Sequence, residues 1–487
     1  MMKLRFVTLF ILVGFLITAC GTQPEENYST AVEEEPKEAI GADEDTGLTY
    51  VQFLEDLDYM LYVLENNFAL FDVAYWAHGA DIPAIIGNVR EAVLANPDMD
   101  VIEFYVELVY NFAPLVGVGH FSLLGPQTLY NIINDTHAHQ RAWFSPSAIQ
   151  RISRPHVVAF SRPEAAENAE AANLTGSERQ RQILIDRAVL YGEPELASDM
   201  VQAMEAGDFE ETLRLADLLN DEIIANAPNI TTEIIEEGRI AYLSINSFGG
   251  YPTQQDESQV FDFYEEIRDS EHLIVDLRRN RGGNMIWFHR LIIGPNIESN
   301  SRVDGYAFVV YGEYSTQYTS SLLGRGISVT SMIHSRDDQM RPIAEILENY
   351  NLPDINMTDM ERMDYGFRIQ TTVNPRHFDR FDNQPAFDGK VWLLTGSGMG
   401  SATEASAWIA KDTGFATLVG EVTGGAFGGR RTYVALPNSG IVFQADLFYV
   451  TDRHGRPLEA GTVPHHFNRE GMDALETVLQ LIEEGNY

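Results

Sequence analysis

The chain has one cysteine, Cys20, in 487 residues. No disulfide can form within it, so its stability has to come from core packing. Positive charge is scarce as well: 33 Lys and Arg stand against 72 Asp and Glu, a formal net charge of −39. A surface of that sign repels nucleic-acid phosphates and anionic lipid head groups, which excludes nucleic acid as a partner and leaves no electrostatic route to a membrane. The apolar run at 6–17 is too short to span a bilayer. No second pair of ligands joins His137 and His139 at a finger-like or helical spacing, so the pair is no metal motif.

What the N-terminus does have is an ordered export pattern. Lys3 and Arg5 precede the apolar run, and Ile17-Thr18-Ala19-Cys20 ends it with small residues before the cysteine. That tetrapeptide resembles the bacterial lipobox, which implies a signal peptide over 1–19 and a lipid-modified Cys20 as the new N-terminus. Residues 20–47 are acidic and nearly free of core-forming side chains, so they are expected to be a disordered tether. Together these imply an extracytoplasmic protein, held at the bacterial membrane by its lipid alone.

At this length two or three domains are expected. Residues 48–125 read as an N-terminal helical region: Thr49-x-x-Gln52 and Asp100-x-x-Glu103 are helix starts, followed by Phe53, Leu57, Met60, Leu64 and by Phe104, Leu108, Phe112 at helical spacing. This region ends at Gly119-His120, a histidine between glycines and an apolar run, where a structural and a catalytic role are both open. Residues 126–235 read as a helical insert, with Phe209, Leu213, Ala216, Leu219 and Ile223 in one stripe.

From 236 to 487 strands alternate with helices, which implies an α/β fold on a mainly parallel sheet. Strands are expected at 239–245, 272–277, 306–311, 391–395 and 417–420, helices at 258–268 and 401–411, and a strand pair at 431–435 and 441–448. Residues 313–389 read as a long irregular insertion placed to cover a cleft.

The pattern converges on Gly396-Ser397-Gly398-Met399-Gly400-Ser401-Ala402-Thr403-Glu404, a turn between an apolar strand and a helix. Three readings of it are open. Ser401 and Glu404 have the spacing of a capping box. A serine on a first helical turn also suits a nucleophile, because unpaired N–H groups and the positive dipole end can hold an oxyanion. Gly396-x-Gly398-x-Gly400 with Glu421 downstream approaches a dinucleotide loop, although serine stands where its third glycine belongs.

Three segments taken together resemble the S41 family of serine peptidases, the group that contains the C-terminal processing proteases and the tricorn core. They are Gly238–Leu243 with Asp276-Leu277-Arg278-x-Asn280-x-Gly282-Gly283, Ser401–Glu404 with Gly420-Glu421-x-Thr423-x-Gly425, and Gly455-Arg456-Pro457-Leu458-Glu459-x-Gly461-x-Val463-Pro464. The resemblance implies a ClpP/crotonase-like core that acts on polypeptide substrates without a cofactor. It implies Ser401 as nucleophile, His120 as its base, Glu459 behind the imidazole, and an oxyanion site of the Ala402 N–H with that of Gly282 or Gly283. The lysine base of some members has no counterpart in 424–428, and arginine cannot deprotonate in its stead. The chain departs from the family at Val118, where an aspartate is usual, at His465, and in having no recognisable PDZ module. These departures keep open a non-catalytic ligand- or peptide-binding lipoprotein on the same fold.

Overall fold

The structure is a computed structural model that describes residues 48–485, apart from 134–145, 155–156, 158–183, 186–187, 192, 207, 225, 318–339 and 428–430. The leader, the tether with Cys20, and the His137/His139 pair lie outside the described residues.

The centre is a six-stranded sheet in the order His466–Phe467, Thr417–Gly420, Lys390–Thr395, His272–Asp276, Ile240–Ile245, Ile230–Glu236. Its neighbours run parallel except the last pair, which is antiparallel. The inner strands are unbroken apolar runs because both faces are covered. Ile240, Ile274, Trp392, Leu394 and Val419 pack against Ala474, Val478, Leu481 and Ile482 of the C-terminal helix Ala474–Glu484. Their sequence neighbours Ala241, Leu273, Val275, Leu393 and Leu418 point into the main core, as the two-residue period of a strand requires.

Two antiparallel sheets extend this core. One has the order Ser122–Leu123, Val442–Asp446, Arg431–Ala435, which includes the expected hairpin. The other has the order Tyr449–Asp452, Ser301–Val309, Tyr365–Val373, Arg341–Pro342. The second sheet corrects the reading of 313–389 as irregular. Tyr365–Val373 pairs along its full length with Ser301–Val309 and buries Phe367, Ile369 and Val373. The strand does carry a two-residue period, Phe367, Ile369 and Val373 alternating with Arg368, Gln370 and Thr372, which the reading of 313–389 as one irregular insertion passes over.

The N-terminal helices begin where the sequence places them, at Tyr50–Asn67 and Val101–Phe112, the second with a reciprocal Asp100/Glu103 capping box. Phe53, Leu57, Phe104 and Phe112 join the same core as the sheets. The helix expected at 258–268 runs Gln254–Glu266, since Thr253 and Asp256 form its capping box. Leu184, Leu196, Met200, Leu215, Ala216 and Leu219 of the insert form a small core of their own.

Candidate active site

Ser401 stands at the start of helix Ala402–Asp412, directly after strand Lys390–Thr395 and its glycine turn. Its backbone is at φ 55°, ψ −116°, a region an L-residue occupies only when its surroundings impose it. Those surroundings are visible: the Ser401 N–H donates to the Gly425 carbonyl at 3.1 Å, and the Gly424 N–H to the Met399 carbonyl at 2.7 Å. Ser401 makes no side-chain cap bond. Glu404 turns inward instead, where it accepts hydrogen bonds from Thr423 Oγ1, from Thr462 Oγ1 at 2.6 Å and from the Gly425 N–H at 3.3 Å. The capping-box reading therefore fails, and the Ser401 hydroxyl is left for other work. Glu421 accepts from the Ser397 N–H at 3.4 Å, so the acid of the dinucleotide reading is tied into the serine turn itself.

His120 faces that hydroxyl, with Nε2 at 3.2 Å from Ser401 Oγ. Its Nδ1 lies 3.0 and 3.1 Å from the two carboxylate oxygens of Asp446, which also accepts the His120 backbone N–H at 2.8 Å. Two contacts from one buried carboxylate fix both backbone and ring, which places the proton on Nδ1 and the lone pair of Nε2 toward the serine. The charge of Asp446 is the main cause that raises the His120 pKa above 6.5; burial and Arg431 oppose it, and Glu459 adds to it.

The acid expected behind the imidazole was Glu459, and this is corrected: Asp446 occupies that position. Strand register is the reason. Ser122 pairs with Gln444 and Leu123 with Phe443, and continuing the ladder by two residues sets His120 opposite Asp446. Glu459, buried in the turn Leu458–Ala460, is one step removed. It accepts the Gly119 N–H at 2.6 Å and the Phe427 N–H at 3.2 Å, and lies 3.5 Å from His78 Nε2. Burial raises its pKa, against the hydrogen bonds from His78 and Gly119. Neither Asp446 nor His78 was singled out in the sequence; an acid that closes an apolar strand was the one signal for Asp446.

The Gly282-Gly283 turn packs against the serine. A Cβ at Gly282 would lie 2.6 Å from the Gly400 carbonyl oxygen and 3.0 Å from Ala402 N, so no larger residue fits. The Gly282 N–H, however, donates to Asn280 Oδ1 at 2.9 Å and is unavailable to a substrate. Among the described residues neither the Gly283 nor the Ala402 N–H has a hydrogen-bond acceptor.

Both departures have structural places. Val118 is fully buried in the core, and His465 Nδ1 accepts the Leu418 N–H at 2.9 Å. Among the described residues no group of three or more His, Cys, Asp or Glu is placed to hold a metal, and no helix is long and apolar enough to cross a membrane.

A serine on a helix N-terminus, paired with an imidazole that a carboxylate orients, is the geometry of serine hydrolases. Residues 239–467 match the family model Peptidase family S41, and the chain carries this family's peptidase domain, which makes it a serine-type peptidase. Similar solved structures include a candidate peptidase of Parabacteroides merdae ATCC 43184, at 15% identity over 89% of this chain and 97% of that one, with a TM-score of 0.47. Mature CPAF complexed with lactacystin is 12% identical over 86% and 94%, with a TM-score of 0.45. The tricorn protease is 18% identical over 50% and 18%, with a TM-score of 0.27. No curated protein matches the chain.

Proposed function

We propose that this peptidase cleaves polypeptides through an acyl-enzyme in which Ser401 attacks, His120 moves the proton and Asp446 holds the imidazole. The observation that carries the reading is the 3.2 Å approach of His120 Nε2 to Ser401 Oγ with Asp446 on the far ring nitrogen. In the first step Nε2 takes the hydroxyl proton as Oγ bonds to the scissile carbonyl carbon; the imidazolium then returns that proton to the leaving amine. The developing oxyanion is received by the N–H groups of Ala402 and Gly283, which no described acceptor occupies. Water repeats the sequence to release the acyl group. Glu459 supports this arrangement from behind, through the Gly119 N–H.

An active-site fluorophosphonate tests the assignment. The wild type is expected to be labelled, Ser401→Ala to lose all labelling, and His120→Ala to react more slowly by roughly three orders of magnitude. Labelling that survives in Ser401→Ala would reject the nucleophile.

The export pattern supports an extracytoplasmic location with a lipid on Cys20. Cys20→Ser should then move the protein from the membrane to the soluble fraction, and unchanged partitioning would remove the anchor from the reading.

A further inference from the structure

We propose that Glu404 is a positioning residue for Ser401, acting through the turn 423–425 whose Gly425 carbonyl fixes the nucleophile's backbone. The inference rests on the reading of Ser401 as nucleophile and adds to it a residue that touches neither substrate nor the reacting atoms.

Glu404 is fully buried in the first turn of the serine helix. Its two oxygens take donors from two separate segments: Thr423 Oγ1 and the Gly425 N–H reach one oxygen, and Thr462 Oγ1 reaches the other. The direction of these bonds is set by the backbone. Thr423 Oγ1 accepts the Thr462 N–H at 2.6 Å, so its own proton is directed to Glu404. The Thr423 N–H in turn donates to the Thr462 carbonyl at 3.2 Å. The carboxylate thus joins the serine helix to the 423–425 turn and to the closing turn near 462. From the first of these the Gly425 carbonyl accepts the Ser401 N–H at 3.1 Å, beside the positive φ of the serine.

Nothing else in the described contacts of Ser401 holds its amide. Without Glu404 two hydroxyls and an amide would lose their acceptor in a closed site, and the turn would have to move to find others. A displacement of about 1 Å at a nucleophile is enough to lower turnover roughly a hundredfold. The other titratable group that bears on Glu404 is Glu459, whose charge raises its pKa, and the helix N-terminus opposes that charge with its own dipole.

The test uses the full chain with Glu404→Leu and Glu404→Gln, a fluorophosphonate as probe, and labelling kinetics resolved into KI and kinact beside a thermal melt. Leu should lower kinact roughly a hundredfold while KI stays within about threefold. Gln keeps an oxygen for Thr423 and Gly425 and offers its amide to Thr462, so it should restore kinact to within about fivefold of wild type. A folded Leu variant with kinact near wild type, or a Gln variant no faster than Leu, would overturn the proposal. If Leu does not fold, Thr462→Val removes one donor at nearly constant volume; about a tenfold loss in kinact at constant KI supports the proposal, and an unchanged kinact overturns it. The two readings fail differently: a wild type that is never labelled removes Ser401 as nucleophile, whereas labelled wild type with an equally fast Leu variant removes Glu404 alone.

Discussion

The serine and the histidine face each other across 3.2 Å but are held by different means. Ser401 is held by backbone: the Gly425 carbonyl takes its N–H, the Gly282 turn packs on its Cβ, and the helix behind it is buried from Ala402 to Ala410. His120 is held by charge: its N–H and Nδ1 both end on Asp446, and the preceding Gly119 N–H ends on Glu459. The difference has consequences of two kinds. Steric changes should damage the serine side, while charge changes and pH should act on the histidine side. Glu404 and Glu459 approach the boundary between the two from opposite sides, through Gly425 and Phe427.

The largest effect is expected where charge is removed from the histidine side. Asp446→Asn should lower kcat by about three orders of magnitude, since the imidazole loses both its fixed tautomer and the charge that stabilises the imidazolium. The pH profile should change with it. Because the pKa of His120 is raised above 6.5, chiefly by Asp446, the ring is protonated and unable to accept the serine proton until pH exceeds that value, so activity should rise along a limb centred above 6.5. Asn should move the limb downward, because the burial and the Arg431 charge that oppose Asp446 remain. Glu459→Gln should move it in the same direction but less, since Glu459 is the smallest of the named contributions. A limb that shifts more in the Glu459 variant than in the Asp446 variant would reverse the assignment of the two acids.

The serine side should respond to bulk. Gly425 has φ +72°, and a Cβ there would run into the Glu459 carbonyl oxygen. Gly425→Ala should therefore shift the turn that holds Ser401 and lower kcat by roughly ten- to a hundredfold. Its pH limb should stay close to the wild-type position, because Asp446, the main contributor to the His120 pKa, is untouched and the displaced Glu459 is the smallest of the named ones. If the limb moves instead, the two sides are not independent and the contrast between them fails.

The contrast also explains what could be read before the fold was known. The surroundings of Ser401 are contiguous, strand then turn then helix from 390 to 412, so their character survives in local sequence. The partner of His120 is 326 residues away and arrives through a two-residue strand whose register sets the pairing. No local pattern encodes that register. Family resemblance pointed to the buried acid of the closing turn, and Glu459 does lie beside the histidine loop, on Gly119 rather than on the ring. The central parallel sheet was legible from its apolar runs. The strand Tyr365–Val373 has a local signature as well, Phe367, Ile369 and Val373 alternating with Arg368, Gln370 and Thr372, but its pairing with the distant Ser301–Val309 is written in no local pattern.

The smallest effect separates the two buried glutamates by stability rather than rate. Burial pushes the pKa of Glu404 from 4.5 up to about 7. The folded protein therefore keeps a proton there at pH values where the unfolded chain has lost it. With the folded value the higher, the contribution to stability is fully present below pH 4.5 and is lost as pH rises through about 7, a change on the order of 3 kcal/mol. Glu404→Gln abolishes that dependence, so the melting temperature of the wild type minus that of the Gln variant should fall by a few degrees between pH 4.5 and 8. Glu459 is also raised by burial and remains in both proteins, so a residual slope should persist in the variant. Parallel melting curves for wild type and Gln variant would mean that Glu404 stays ionised when buried. The serine side would then depend on charge as much as the histidine side does.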